Sequence, residues 1–229
     1  MIINKVNFPF YNILIVLSVI IGLIYILISL YNENKLHKKI IVFIIMFFVF
    51  SFFGGKLYTY LLFKTDSLIK SSLSSYGGLA FAIIASFIYE KVFKDEKDIV
   101  KYTILSLPLI YCFTKIACHI NGCCYGIEYD GPFSVIYPHV TSKPLFPVQL
   151  FEVILFFGLF IYCNKNKNRK DITYITLLFI SLFKYLIEFL RYGNESLINP
   201  NQLFSIVLFA ITLIIYIINF RHKHHQYYF

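Results

Sequence analysis

Seven apolar stretches take up most of this 229-residue chain, and they restrict its fold more than any other feature. A run of about 18 or more apolar residues reads as a membrane-spanning helix, because roughly 20 residues rising about 1.5 Å each cross the hydrocarbon of a bilayer. Spans are expected at about Phe8–Tyr31, Ile40–Phe63, Tyr76–Phe93, Thr103–Ile120, Val148–Cys163, Ile172–Arg191 and Leu203–Phe220. Hydrophobic residues make up 59% of the sequence, against about 45–50% in soluble domains. The expected fold is all-α: one polytopic membrane domain over residues 1–229 with seven transmembrane helices and an external loop at about 126–147. The first span is too long for a signal-peptide core and no small-residue cleavage site follows it, so it is expected to be retained.

The formal net charge of +9 could suggest a nucleic-acid partner, but its distribution points elsewhere. Taking the inter-span segments alternately, 32–39, 94–102, 164–171 and the C-terminal tail hold twelve Lys and Arg, while the N-terminus, 64–75, 127–147 and 192–202 hold four. Basic residues collect on the cytoplasmic side of membrane proteins. The N-terminus is therefore expected outside and the C-terminus in the cytoplasm, and the excess positive charge reads as a topology signal with some attraction to anionic lipid headgroups. The richness in Lys, Asn, Ile, Phe and Tyr fits an AT-rich bacterial genome.

Five basic side chains lie in or at the ends of the spans: Lys56, Lys91, Lys115, Lys184 and Arg191. A cation in hydrocarbon costs several kcal/mol unless it snorkels, pairs or faces a wet cavity, so each marks a functional site until explained. Lys91 is near a span end and can snorkel. Lys115 and His119 are four apart on one helix face, and Asn121-Gly122 then breaks that helix. Broken backbone at membrane depth survives only under protein or water. Lys184, Glu188 and Arg191 follow at i, i+4 and i+7 as one charged stripe with a surplus cation, and a surplus guanidinium suits a phosphate. Gln149 and Glu152 share a face of the fifth helix, behind Pro147 at a favoured first-turn position.

Other features carry less. Gly54-Gly55 inside the second span permits close helix packing, and Lys56 beside it is compatible with a wet, substrate-facing position. The serines of the segment Asp66 to Ser75, ahead of Gly77-Gly78, suit a helix cap and an anion, or a flexible external loop. Phe133 to Tyr137 has the composition of a short strand. Cys112 and Cys163 read as apolar fillers. Cys118, His119, Cys123 and Cys124 form a denser set of soft ligands, open to zinc or copper, to a disulfide in an oxidising exterior, or to free packing. Adjacent cysteines usually point apart, so free packing is expected and no metal site is assigned. His222, His224 and His225 read as part of a solvated basic tail.

At these blocks the chain resembles the prolipoprotein diacylglyceryl transferase family, seven-span bacterial enzymes of lipoprotein biosynthesis. Gly54-Gly55-Lys56-Leu57 with Tyr60 is similar to the family's Gly-Gly-Arg block. Tyr76-Gly77-Gly78-Leu79 is similar to its His-Gly-Gly-Leu motif, with Tyr in place of the essential His. Thr114 through Gly126 corresponds to its Gly-Arg-x-Gly-Asn signature, keeping Asn121, Gly122 and Gly126. Lys115 stands there at an essential Arg, Cys118 at an Asn and Cys123 at a Glu. Phe146-Pro147-Val148-Gln149-Leu150-Phe151-Glu152, then Lys184, Glu188, Phe189 and Arg191, and finally Asn201-Gln202-Leu203 match three further blocks in order. The likeness runs from about residue 50 to 205. Its departures fall on polar positions: two Arg positions hold Lys, which keeps the charge but loses the planar fork that grips phosphate with two bonds, and the His position holds a much weaker base.

The resemblance implies transfer of diacylglycerol from phosphatidylglycerol to the lipobox cysteine thiol of prolipoprotein signal peptides, in the bacterial cytoplasmic membrane, with no cofactor and no nucleic acid. The catalytic groups it implies are Lys115, Lys184, Arg191, Tyr76 and Glu188. Lys56, Tyr60, Gly77, Gly78, His119, Asn121, Gly122, Gln149 and Glu152 are the expected substrate-binding set. A lipid transferase with another acceptor, or a thiol- or metal-handling membrane protein built on the cysteine cluster, are the alternatives.

Overall fold

A computed structural model describes residues 2–3, 8–63, 67–69, 71–94, 98–193 and 199–225; Asp66 and the side chains of His222, His224 and His225 lie outside the described set. The described residues form seven helices: α1 (Phe8–Asn32), α2 (Ile40–Phe63), α3 (Ser75–Val92), α4 (Ile99–Asn121), α5 (Val148–Lys165), α6 (Ile172–Glu188) and α7 (Pro200–His225). Five of them, α1, α2, α4, α5 and α7, are long and apolar enough to cross a membrane. α3 has 18 residues, the same as α5, and α6 has 17. α3 carries Glu90 and Lys91, and α6 carries Lys184 and Glu188. Apolar side chains left exposed along α2, such as Ile41, Ile45, Val49 and Phe52, recur at helical spacing, as a lipid-facing stripe does.

Boundaries follow the apolar runs closely for α1, α2, α3 and α5, while α7 runs three residues earlier and five later than the expected Leu203–Phe220. α4 starts four residues before the expected Thr103, and α6 ends at Glu188, so Arg191 lies in the turn beyond the helix. The strand expected over Phe133 to Tyr137 is reduced to isolated bridges, Val135 to Leu145 and Ile136 to Ile2. Pro132, Pro138 and Pro144 bound these segments, and proline cannot donate to a ladder.

Two compact units divide the chain: Ser18–Tyr111, and Met1–Leu17 with Cys112–Phe229. In the first, α2 packs on α3 through glycines. A Cβ added at Gly77 would sit 2.1 Å from the Gly54 carbonyl oxygen, and one at Gly54 would sit 2.4 Å from the Phe81 Cβ. Any side chain there forces the two backbones apart, so close packing accounts for this pair. Ser74 caps α3, its hydroxyl accepting from the Tyr76 N–H at 3.3 Å. A ring cluster of Phe43, Phe47, Tyr89 and Phe93 fills the opposite end of the helix pair.

In the second unit α6 packs between α5 and α7. The loop joining α4 to α5 has its own small core of Ile3, Val135, Tyr137 and Leu145. It then closes on the turn after α6: the Ile127 N–H bonds the Leu190 carbonyl at 3.0 Å and the Tyr192 N–H bonds the Tyr125 carbonyl at 3.1 Å. Gly126 is the residue that permits this, because a Cβ there would lie 2.5 Å from the Phe146 carbonyl and 3.1 Å from that of Leu190. The Arg191 backbone is thereby fixed by the loop as well as by its own helix.

Candidate functional site

α5 supplies one carboxylate, Glu152, that is fully buried. Three cations converge on it. Lys115 Nζ from α4 is 3.0 Å from Oε2, Lys184 Nζ from α6 is 3.5 Å from Oε1, and Arg191 Nη2 is 2.9 Å from Oε2. Lys115 and Lys184 are themselves only 4% and 3% exposed, so neither ammonium reaches bulk water. The apolar helices set these positions: α4 buries Lys115, α5 buries Glu152 and α6 buries Lys184 among apolar neighbours, and in a medium that cannot solvate them opposite charges must meet.

Arg191 is held on three sides. Besides Glu152, its Nη1 donates to the Cys124 carbonyl and its Nε lies 3.9 Å from Glu188 Oε2. Glu188 is anchored in turn, its Oε1 accepting from the Asn199 amide at 3.1 Å and the Asn201 amide at 3.0 Å. Three positive and two negative side chains make up this centre, which leaves one unit of positive charge. Among the described residues Oε1 of Glu152 accepts no hydrogen bond and has the Lys184 ammonium at 3.5 Å. A surplus cation in a buried centre is unbalanced until an anion meets it.

The polar residues at the end of α4 build the wall of the centre. Gly122, at φ 64°, takes the left-handed conformation. The Gly122 N–H bonds the His119 carbonyl at 3.2 Å and the Cys123 N–H bonds the Cys118 carbonyl at 3.1 Å, the paired bonds of a Schellman C-cap. A Cβ at Gly122 would press on the His139 ring at 3.0 Å, and that ring's Nε2 lies 2.9 Å from the Gly122 carbonyl oxygen. Gln149, one turn ahead of Glu152, spends its amide on the chain: it donates to the Cys123 carbonyl at 2.6 Å and the Tyr137 hydroxyl at 3.2 Å. Burial pushes the Tyr137 hydroxyl up to about 12, so it stays protonated. His119 is buried, with no hydrogen-bond partner at Nδ1 among the described residues.

The remaining expected site residues belong to the unit Ser18–Tyr111. Lys56 donates to the Ile69 carbonyl at 2.6 Å and the Ser71 carbonyl at 3.1 Å, and its ammonium lies 5.6 Å from the Phe52 ring centre. It ties down the loop ahead of α3. Tyr76 is buried and stacked on Tyr58, ring centres 5.7 Å apart. Gly77 packs on α2, Gly78 N–H bonds the Ser74 carbonyl at 3.1 Å, and Tyr60 points to an exposed face.

Sequence reasoning placed the weight on a Lys184–Glu188–Arg191 stripe. The ion pair of Lys184 instead runs to Glu152, which is the hub. The signal was present: Glu152 is the one carboxylate in the middle of the fifth apolar run. Asn199 and the Cys124 carbonyl, which orient Glu188 and Arg191, carried no such signal, because backbone and loop partners depend on the turn geometry.

The family model for prolipoprotein diacylglyceryl transferase matches residues 1–218. Among curated proteins, a phosphatidylglycerol–prolipoprotein diacylglyceryl transferase 2 of Clostridium perfringens is 30% identical over 210 residues, covering 82% of this chain and 80% of the relative. A phosphatidylglycerol–prolipoprotein diacylglyceryl transferase of Clostridium tetani is 27% identical over 212 residues, covering 82% of each. One from Bacteroides fragilis is 29% identical over 147 residues, 58% of this chain and 53% of the relative.

Removing one partner of a buried ion cluster strands the others. Glu152→Gln is expected to destabilise the purified protein by about 3–5 kcal/mol, read as a fall in Tm in detergent. Adding Arg191→Gln, which removes one stranded cation, is expected to recover part of it. An unchanged Tm for Glu152→Gln would rule out the hub.

Proposed function

This chain belongs to the prolipoprotein diacylglyceryl transferase family, and on that premise we propose how its charged centre transfers diacylglycerol from phosphatidylglycerol to a prolipoprotein cysteine. The observation that carries the reading is the convergence of Lys115, Lys184 and Arg191 on Glu152 with one positive charge left over.

In the reaction a carbon–sulfur bond forms between the thiolate and the terminal glyceryl carbon of the diacylglycerol. The carbon–oxygen bond to phosphate breaks, and glycerol phosphate leaves. The phosphodiester carries one negative charge before reaction and the departing phosphomonoester gains a second. Cations already in place stabilise that developing charge without reorganising, which is the effect that accelerates such a step most. Lys184 and Arg191 take the phosphate oxygens, with Lys115 completing the field. Glu152 and Glu188 hold the cations in position and do not react.

A thiol must also lose its proton. A cationic surround favours the thiolate, and His119 is the side chain assigned to take the proton. Asn121 and Gly122 are assigned to the substrate surface. Gln149 and Lys56, whose donors are engaged by the chain's own carbonyls, act by shaping it.

For the membrane arrangement, the reading is seven spans in the bacterial cytoplasmic membrane. The N-terminus and the loop over about 126–147 face outward and the basic segments 32–39, 94–102 and 164–171 face the cytoplasm, as basic loops require. The centre then lies toward the outer leaflet, where α4 ends.

In cells depleted of their own transferase, expression of this chain is expected to restore attachment of labelled lipid to lipoproteins. Lys184→Gln and Arg191→Gln should each lower the transfer rate by about 10²–10³-fold, the size lost with one preorganised donor. Lys115→Arg should retain it, since a guanidinium grips phosphate at least as well. Absence of lipid attachment with the protein present in the membrane would turn the assignment to a different acceptor. For the topology, a tag inserted at Phe133 should be reached by impermeant reagent in spheroplasts and one at Lys167 only after lysis; the reverse pattern would overturn the orientation.

A further inference from the structure

Cys118, Cys123 and Cys124 are unused by the transfer reaction, yet their three sulfur atoms all lie within 4.8 Å of one another. The sequence alone suggested free packing, on the ground that neighbouring cysteines point apart. The backbone brings them together in two steps. The Schellman cap at Gly122 stacks the residue after it over the last turn of α4, which sets Cys123 against Cys118, with the Cys123 thiol 3.6 Å from the Cys118 carbonyl oxygen. Cys124 then adopts φ 61°. That left-handed conformation is uncommon for a residue with a side chain and costs roughly 1–3 kcal/mol. It turns the Cys124 side chain back to the same side as Cys123.

We propose that these three cysteines form a soft-metal site, binding one zinc or cuprous ion through three thiolates with a further coordination position open. Thiolates select such ions over harder cations. Zinc–sulfur bonds of about 2.3 Å place sulfurs about 3.8 Å apart, so the observed separations need to close by no more than about an ångström. Access suits a bound ion: Cys118 is buried, Cys123 is half-buried and Cys124 is exposed, so the site has a closed floor and an open rim. Charge suits it too. Three thiolates around a divalent ion carry one net negative charge, and the Arg191 guanidinium, bonded to the Cys124 carbonyl, stands beside them.

The same arithmetic couples the two sites. A filled thiolate cluster supplies the negative charge that the Lys115–Lys184–Arg191 centre otherwise takes from an anionic headgroup. The metal and the headgroup therefore oppose one another. Metal binding itself is independent of the transfer reaction and is measured without substrate.

The test is zinc titration of the full-length reduced protein in nanodiscs, in a background with His222, His224 and His225 changed to alanine so that the tail cannot contribute. One zinc per chain is expected, along with a thiolate-to-metal absorption band when cobalt replaces it. Cys123→Ser and Cys124→Ser should each weaken binding at least tenfold, and Cys112→Ser with Cys163→Ser should leave it unchanged. Cys124 is exposed, so its variant keeps the test open if Cys123→Ser does not fold. No stoichiometric binding by folded wild type, or binding that survives Cys118, Cys123 and Cys124 all changed to Ser, overturns the site. So does the absence of the cobalt band. Loss of transfer activity with metal binding intact would count against the transferase reading and leave this one standing.

Discussion

A single carboxylate in an apolar helix decides how this half of the molecule is built. Glu152 is fully buried and meets Lys115, Lys184 and Arg191 from α4, α6 and the turn that follows it. None of the three cations is tolerable at such depth alone, and no ordinary pair accounts for three of them. The carboxylate makes the cluster possible and also leaves it incomplete by one charge. An electrically neutral arrangement would be a structural ion network, whereas the surplus cation is what the proposed function uses to hold an anionic ligand.

Around the hub, backbone takes over from side chains. The loop after α4 ends one helix with a left-handed glycine, returns through Cys123 and Cys124, and zips onto residues 190–192 at Gly126. Arg191 is thus clamped by a carbonyl, two carboxylates and a pair of main-chain bonds. Gln149 and Tyr137 fix the loop from beneath. Groups that a substrate could otherwise engage are used to hold the wall in place, which keeps the cations preorganised.

How much of this was legible in the sequence follows from the range of each interaction. The helices were, because seven apolar runs and their breakers are local signals. The three cations were legible as anomalies, since a charge in a span stands out by itself. Their common partner was read less well. Helical spacing joined Lys184 to Glu188 on one face, but the packing of α5 against α6 offered Glu152, a partner that spacing along one helix cannot reveal. The cysteine cluster went the same way: the rule that adjacent side chains diverge holds for regular backbone, and Cys124 is not in regular backbone. The weak strand over Phe133 to Tyr137 became isolated bridges because prolines on either side leave no length for a ladder.

The central claim concerns charge, and lipid preference measures charge directly. Native mass spectrometry of the purified chain, with phosphatidylglycerol and phosphatidylethanolamine offered in equal amounts, should show retention of phosphatidylglycerol by the wild type. Lys184→Gln, which brings the centre to neutrality, should erase that preference. Equal retention of both lipids by the wild type, or a preference unaltered by the substitution, would contradict the account.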